Sequence, residues 1–206
     1  GPRGSVVGID RDSASLAIAG GEARAEGIAN IDYRAADIFD LSDRERFDVV
    51  YARFLLSHLP DPVAALARMA GALRDGGMLV VEDVEFSAHF SFPEIPAFGD
   101  YVRLYREAAL ARGGDPDIGP RLPSLLEEAG LGDVGLRVVQ PAAIRGEVKR
   151  LSAITMELIR DAILSAGLAS AGRVAEITEA LGAAARDEHT LLSTPRVFQV
   201  WGRRSS

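Results

Sequence analysis

Few side chains in this sequence can do acid–base work. The 206 residues include 3 histidines and no cysteine, which excludes disulfides, thiolate nucleophiles and thiolate-held zinc. Two histidines sit where chemistry is conceivable, His58 in LLSHLPDP and His89 in FSAHFSFP. An imidazole titrates near neutral pH and can take a proton from an oxygen or nitrogen atom. Each also has a plainer reading, which we prefer: His58 packs at the start of the next helix, and His89 belongs to a loop. The acids pose a similar choice. Asp10 ends the apolar run VVGID and stands at a strand tip, where it meets a ligand or caps the helix that follows. Asp37, in RAADIFDL, is a ligand contact or a turn residue bonded to its own backbone. The two acids of GGDPDIG are first of all turn chemistry, so no metal is expected. Neither G-x-S-x-G nor H-E-x-x-H occurs in the chain.

The elements that must position these residues alternate. A strand over 5–9 is followed by a helix over about 13–26 with Ser13 as N-cap, a strand over 30–37 and a strand over 47–52. PDPVAALARMAGALRDGG reads as a helix with proline at its start and glycine past its end, leading into a strand over 78–82. Alternation of this kind is the signature of a parallel sheet covered on both faces. The second half predicts a helix over 99–112, a helix closed by Gly130, a strand over 134–140 and a last strand through Val197, Phe198, Val200 and Trp201. Between those strands Val148, Leu151, Ile154, Leu158 and Ala162 recur at helical spacing, and a further helix spans 172–186. With no repeat and no linker, residues 1–206 read as one domain with a helical insertion over about 144–192.

Composition narrows the function classes. With 48% hydrophobic and 26% charged residues the chain supports a folded core. A net charge of −7 argues against a nucleic-acid partner, because phosphate affinity comes from clustered Lys and Arg. No apolar run is long enough for a membrane helix, and no signal peptide precedes the first strand, so a cytoplasmic protein with no membrane partner is expected.

Four stretches taken together, SVVGID, RAADIFDL, FDVVYARFLLSHLPDP and ALRDGGMLVVED, resemble the class I S-adenosylmethionine-dependent methyltransferase family of the small-molecule type. The likeness runs over nearly the whole chain. It implies an α/β fold, a Rossmann-like doubly wound, mostly parallel sheet with an antiparallel last strand. It implies S-adenosyl-L-methionine as cofactor, with Asp10 accepting from the ribose hydroxyls, Arg11 beside it, Asp37 and Ile38 flanking the adenine, and Arg53 near the methionine end through its backbone. In such members His58 lies just past the cofactor loop, and residues beyond the fifth strand often line the acceptor pocket. Hence His58 and His89 are the weak catalytic candidates, and Phe86, Phe90 and Tyr101 the candidate substrate pocket, with plain core packing as the other reading of these aromatics. Arg53 can alternatively pair with a surface acid. Asp75 stands where many members have proline.

The family's glycine-rich first strand has no counterpart before Ser5, so the first strand and helix of the family fold are expected to be missing from this chain. The resemblance implies methyl transfer to a small-molecule acceptor, in which the protein mainly positions donor and acceptor. A homodimer through the helical insertion is a further expectation. Fold alone does not fix function, and two other classes stay open: a noncatalytic binding or scaffold protein of the same fold, and an NAD(P)-dependent oxidoreductase. The second is disfavoured because no Y-x-x-x-K pair is found.

Overall fold

The computed structural model describes residues 4–205. Strand β1 (Val6–Asp10) runs into helix α1 (Ser13–Ala25) and back through β2 (Ile31–Ala35), which pairs with β1 in parallel. Asp12, not Ser13, is the N-cap of α1, accepting from the amides of Ala14 and Ser15. The Ser15 hydroxyl, ahead of those amides, holds the Asp12 carboxyl below its ordinary range. Aspartate outcompetes serine here because a carboxylate takes two amides at once and complements the helix dipole.

The main sheet follows. β3 (Phe47–Arg53) leads to α2 (Pro62–Ala72) and β4 (Leu73–Glu85), parallel to β3. Asp61 caps α2 and proline occupies its first turn, as expected from PDP. The helix stops at Ala72, and the chain turns extended at Leu73, which is fully buried and pairs with Phe47 before the ladder resumes at Val49 and Met78. RDGG therefore forms a bulge inside β4, with Gly76 at φ 74°, a conformation that suits glycine.

After β5 (Ser91–Phe92) come α3 (Pro96–Ala111), α4 (Leu122–Glu128) and β6 (Leu131–Val139). Gly130, at φ 84°, terminates α4 as the sequence predicts. The chain then adds β7 (Ala142–Ala143), α5 (Leu151–Leu158), α6 (Arg160–Ser165), α7 (Ala171–Arg186) and β8 (Leu191–Ser193), and closes with β9 (Arg196–Arg204). β9 lies antiparallel between β4 and β6, giving the order β3-β4-β9-β6. Among the described residues the strands holding Val7 and Val49 are not paired with each other, and β1-β2 is a separate sheet. Val49 and Tyr51 on β3 are more than half exposed.

Two apolar clusters divide the interior. Leu66 and Met69 of α2 and Leu125 and Leu126 of α4 pack on Leu79, Val81 and Val200 of the main sheet. Phe98, Tyr101 and Leu104 of α3 pack with Met156, Ile163, Ile177 and Leu181 of the helical segment. A short sheet of order β5-β8-β7, not foreseen from the sequence, ties that segment to the loop after β4. Of the periodic positions of the segment, Val148, Leu151, Ile154 and Leu158 are exposed and Ala162 is buried, while Lys149, Ser152 and Met156 are buried between them. Among the described residues no helix is long and apolar enough to cross a membrane.

Candidate functional site

The carboxyl ends of the parallel-paired strands carry the polar residues of interest. At the end of β1, the Asp10 carboxylate accepts from the amide of Asp12 at 2.8 Å through one oxygen and is exposed. Since Asp12 does the capping, Asp10 is not the residue that starts α1. Asp37 follows β2 and caps a short 3-10 turn, its Oδ1 accepting from the Phe39 amide at 2.9 Å and its Oδ2 facing the exposed Arg11 guanidinium at 3.6 Å. The turn reading of Asp37 thus holds, and it sits beside Arg11. Ile38 is buried in the core of the main sheet, so its side chain is a packing group.

Arg53 ends β3. Its guanidinium lies 3.6 Å from Glu82 and over the Phe54 ring at 4.6 Å, a half-exposed pairing with an acid of the next strand. Phe54 has φ 52°, uncommon for a bulky residue and a conformation that collects at binding sites. Asp83, fully buried, accepts from the amides of Ser57 and Val84 and so clamps the turn carrying His58 onto the end of β4.

Beyond these strand ends lies a cavity of about 240 Å³, walled by Phe54, His58, Phe86, Tyr105 and Ser152, among others. Its flat wall is the Phe86–Tyr105 pair, stacked at 3.6 Å and 6°. Tyr101 also lines it, with its side chain bonded to Thr155 and its hydroxyl pushed up by burial. His89 lines it too. Its Nδ1 is bonded to the Phe86 carbonyl at 2.7 Å, and burial lowers its pKa to about 4 despite that bond. The ring is therefore neutral at neutral pH, part of an aromatic cluster with Phe98 and Tyr101. A second hollow, of about 210 Å³, shares Ser57, His58 and Tyr105 with the first.

Of the residues expected at an acceptor pocket, the fold brings Phe86, Tyr101, His58 and His89 to one cavity. Phe90 is 43% exposed and stands outside its lining; its amide bonds to Ser193, which holds β5 to β8 instead. Asp10, Arg11, Asp37 and Arg53 lie outside the cavity lining. Sequence reasoning missed Phe54, Lys149, Ser152 and Thr155. Tyr105 lies on α3, foreseen as the helix over 99–112. Lys149 and Ser152 are polar residues that no apolar period picks out, yet both are buried. The acids of GGDPDIG are spent on local bonds: Asp115 with the Asp117 amide and Arg121, Asp117 with the Ser87 amide and Arg106. This is turn and anchoring chemistry.

Comparison with known proteins agrees with this architecture. Residues 1–109 match the family described as Methyltransferase domain. The chain is 41% identical over 76 residues to a ubiquinone biosynthesis O-methyltransferase of Bradyrhizobium sp. (strain ORS 278), covering 37% of this chain and 30% of that protein. It is 31% identical over 151 residues to a trans-aconitate 2-methyltransferase of Deinococcus radiodurans, covering 70% of this chain and 56% of that one. The matched stretches thus span between 30% and 56% of the length of these curated relatives. Among solved structures, a putative methyltransferase from Bacillus halodurans C-125 superposes with a TM-score of 0.64 at 19% identity, over 98% of this chain and 84% of that one. A phosphoethanolamine N-methyltransferase 2 of Haemonchus contortus, solved with S-adenosylhomocysteine, gives 0.56 at 16% identity, over 98% and 44%. These likenesses show the shared α/β fold. The matched residues, more than half of the chain, place it in the methyltransferase-domain family.

Proposed function

We propose that this chain serves methyl transfer from S-adenosyl-L-methionine to a small-molecule acceptor held in the cavity beyond β3 and β4. The observation that carries the reading is the exposed carboxylate of Asp10 at a strand end, not consumed by helix capping, in a family fold whose cavity lies beyond the neighbouring strand ends. Ligands of open α/β sheets bind at that edge. The residues present suit the nucleoside part of the cofactor: Asp10, one of whose carboxylate oxygens accepts from the Asp12 amide, would offer the other to the ribose hydroxyls, and the backbone at Asp37 and Ile38 would border the adenine. The cofactor, when bound, supplies an electrophilic methyl group for in-line displacement.

The protein's own work is positioning and exclusion of water. The Asp83 clamp fixes the turn at Ser57 and His58, and the stacked Phe86–Tyr105 wall orients an acceptor. His58, exposed and lining both hollows, is the group placed to take a proton from an acceptor hydroxyl or amine. His89, neutral and tied to the Phe86 carbonyl, is too weak a base at neutral pH and serves packing. The exposed stripe Leu151, Ile154 and Leu158 supports self-association through the helical segment. Sedimentation of the chain and of Leu158→Glu checks this: the variant is expected to shift any dimer to monomer.

The test of the activity is incubation with methyl-deuterated S-adenosylmethionine and a panel of small acceptors, read by mass spectrometry. S-adenosylhomocysteine and a deuteromethylated product are expected. Saturable cofactor binding without transfer to any acceptor would instead favour a noncatalytic binding protein, and absence of cofactor binding would sink both.

A further inference from the structure

We propose that the cavity accepts an uncharged, ring-sized molecule bearing a hydroxyl group, and that Ser152 is the residue that reads this hydroxyl. The inference rests on the reading of the cavity as the acceptor site and names the class of molecule it takes.

Ser152 lies on α5 with only 7% of its surface exposed, and its Oγ is a buried side-chain atom without a hydrogen-bond partner among the described residues. Three neighbouring hydroxyl residues of the same lining have partners. Thr155 bonds to Tyr101, Ser193 accepts from the Phe90 amide, and Thr194 donates to the Pro141 and Pro195 carbonyls. A buried hydroxyl left unsatisfied is costly, and a ligand group that both donates and accepts removes that cost.

The charge of the ligand follows from the rest of the wall. Among the described residues no carboxylate lines the cavity, so an ammonium would be buried there without a counter-charge. Lys149 is the one Lys or Arg among the described residues of the lining, and it is not free to receive an anion. Its Nζ, on a side chain 1% exposed, donates to the carbonyls of Ile144 at 3.1 Å, Asp187 at 2.5 Å and Thr190 at 3.0 Å, and faces Thr190 Oγ1 at 2.9 Å. Three donors are spent on four acceptors. A polycarboxylate therefore finds no free ammonium or guanidinium in the wall. Size points to a ring. Apolar cavities of roughly 150 Å³ hold benzene, and this one, at about 240 Å³, has room for a substituted ring laid on the flat Phe86–Tyr105 wall.

The experiment compares phenol with toluene, which differ by a hydroxyl against a methyl, in ligand-observed NMR titrations of the full chain and of Ser152→Ala. Phenol is expected to bind roughly three- to tenfold more tightly than toluene, the range of one hydrogen bond, with the ratio falling below twofold in Ser152→Ala. Ser152→Cys, similar in size and a weaker donor, should fall between. Citrate, a tricarboxylate, is expected to show no saturable binding. Ser152→Ala should melt no lower than the parent, since it deletes an unpartnered hydroxyl. An unchanged phenol-to-toluene ratio in Ser152→Ala, no phenol binding at all, or citrate binding more tightly than phenol overturns the proposal. Methyl transfer is scored separately: a Ser152-dependent ratio without transfer keeps this proposal and removes the catalytic reading, and transfer without the ratio does the reverse.

Discussion

Asp10 and His89 show how a residue's environment bears on readings that its sequence neighbourhood leaves open. Asp10 does not cap α1, because Asp12 takes the amides of Ala14 and Ser15, and the proposed cofactor site uses its carboxylate for the ribose hydroxyls. Asp10→Ala is expected to weaken S-adenosylhomocysteine binding by about 1.5 to 3 kcal/mol, the worth of hydrogen bonds to a charged group, as measured by calorimetry. Unchanged affinity would remove Asp10 from the site. His89 is expected to make the fold acid-sensitive. Its pKa is about 4 in the folded chain against an ordinary 6.5, so between these values the unfolded chain binds a proton that the folded one refuses. Its contribution is fully present above pH 6.5 and is lost as pH falls toward 4, by on the order of 3 kcal/mol in all. Denaturant melts across that range should steepen with falling pH in the parent and flatten in His89→Phe. An equal slope in both would mean that His89 is solvated.

At the scale of elements, the helical segment is held by a charge that no apolar pattern announces. Lys149, just before α5, spans from the Ile144 carbonyl to the end of α7 and the start of β8, where the last carbonyls of a helix and its exit turn need donors. Lys149→Met keeps the volume and leaves these carbonyls unpaired, and is expected to destabilise the fold by about 2 to 4 kcal/mol. Lys149→Arg should not rescue it, because a planar fork does not reproduce the point donor that a cluster of carbonyls surrounds. Thermal melts of the two variants decide this; a fully stable Lys149→Met would show that water replaces the ammonium. The apolar series of this segment was legible as a helix period, but its burial was not: four of its five positions are exposed and Ala162 is buried. Period gives the angle between side chains and says nothing about which side meets the core.

At the scale of the molecule, stability is expected to be uneven. β4 and β9 are paired on both sides, whereas β1 and β2 form a two-stranded sheet that meets the rest through Ile9 and the turn at Ile38 and Phe39. Two-stranded units are marginal unless packed against something larger. Amide exchange should therefore be faster in Val6–Asp10 than in Leu79–Val84, with cofactor binding slowing the former more. Equal protection in both regions would show that the β1-α1-β2 unit unfolds only with the whole chain.

Several parts of this protein follow from its sequence by itself, because they depend on neighbours within a few residues. VVGID and RFDVVYAR are strands by their apolar runs, PDP starts a helix, Gly130 ends one, and RVFQVWGRR is a strand of β-branched and aromatic residues. The acid at the tip of β1 and the family resemblance are local in the same sense. Tertiary structure alone decided the rest. That Ala72 ends a helix which RDGG seemed to continue depends on Leu73 reaching Phe47, 26 residues earlier in the chain. The short β5-β8-β7 sheet joins strands of two or three residues, too brief for any period to register. The cavity itself is assembled from the ends of β3 and β4, from α3, and from the segment before β9, so Ser152 meets Phe86 and Tyr105 only when long-range packing closes over the strand ends. Local patterns set which elements form, and the burial of two separate apolar clusters sets which side chains those elements bring face to face.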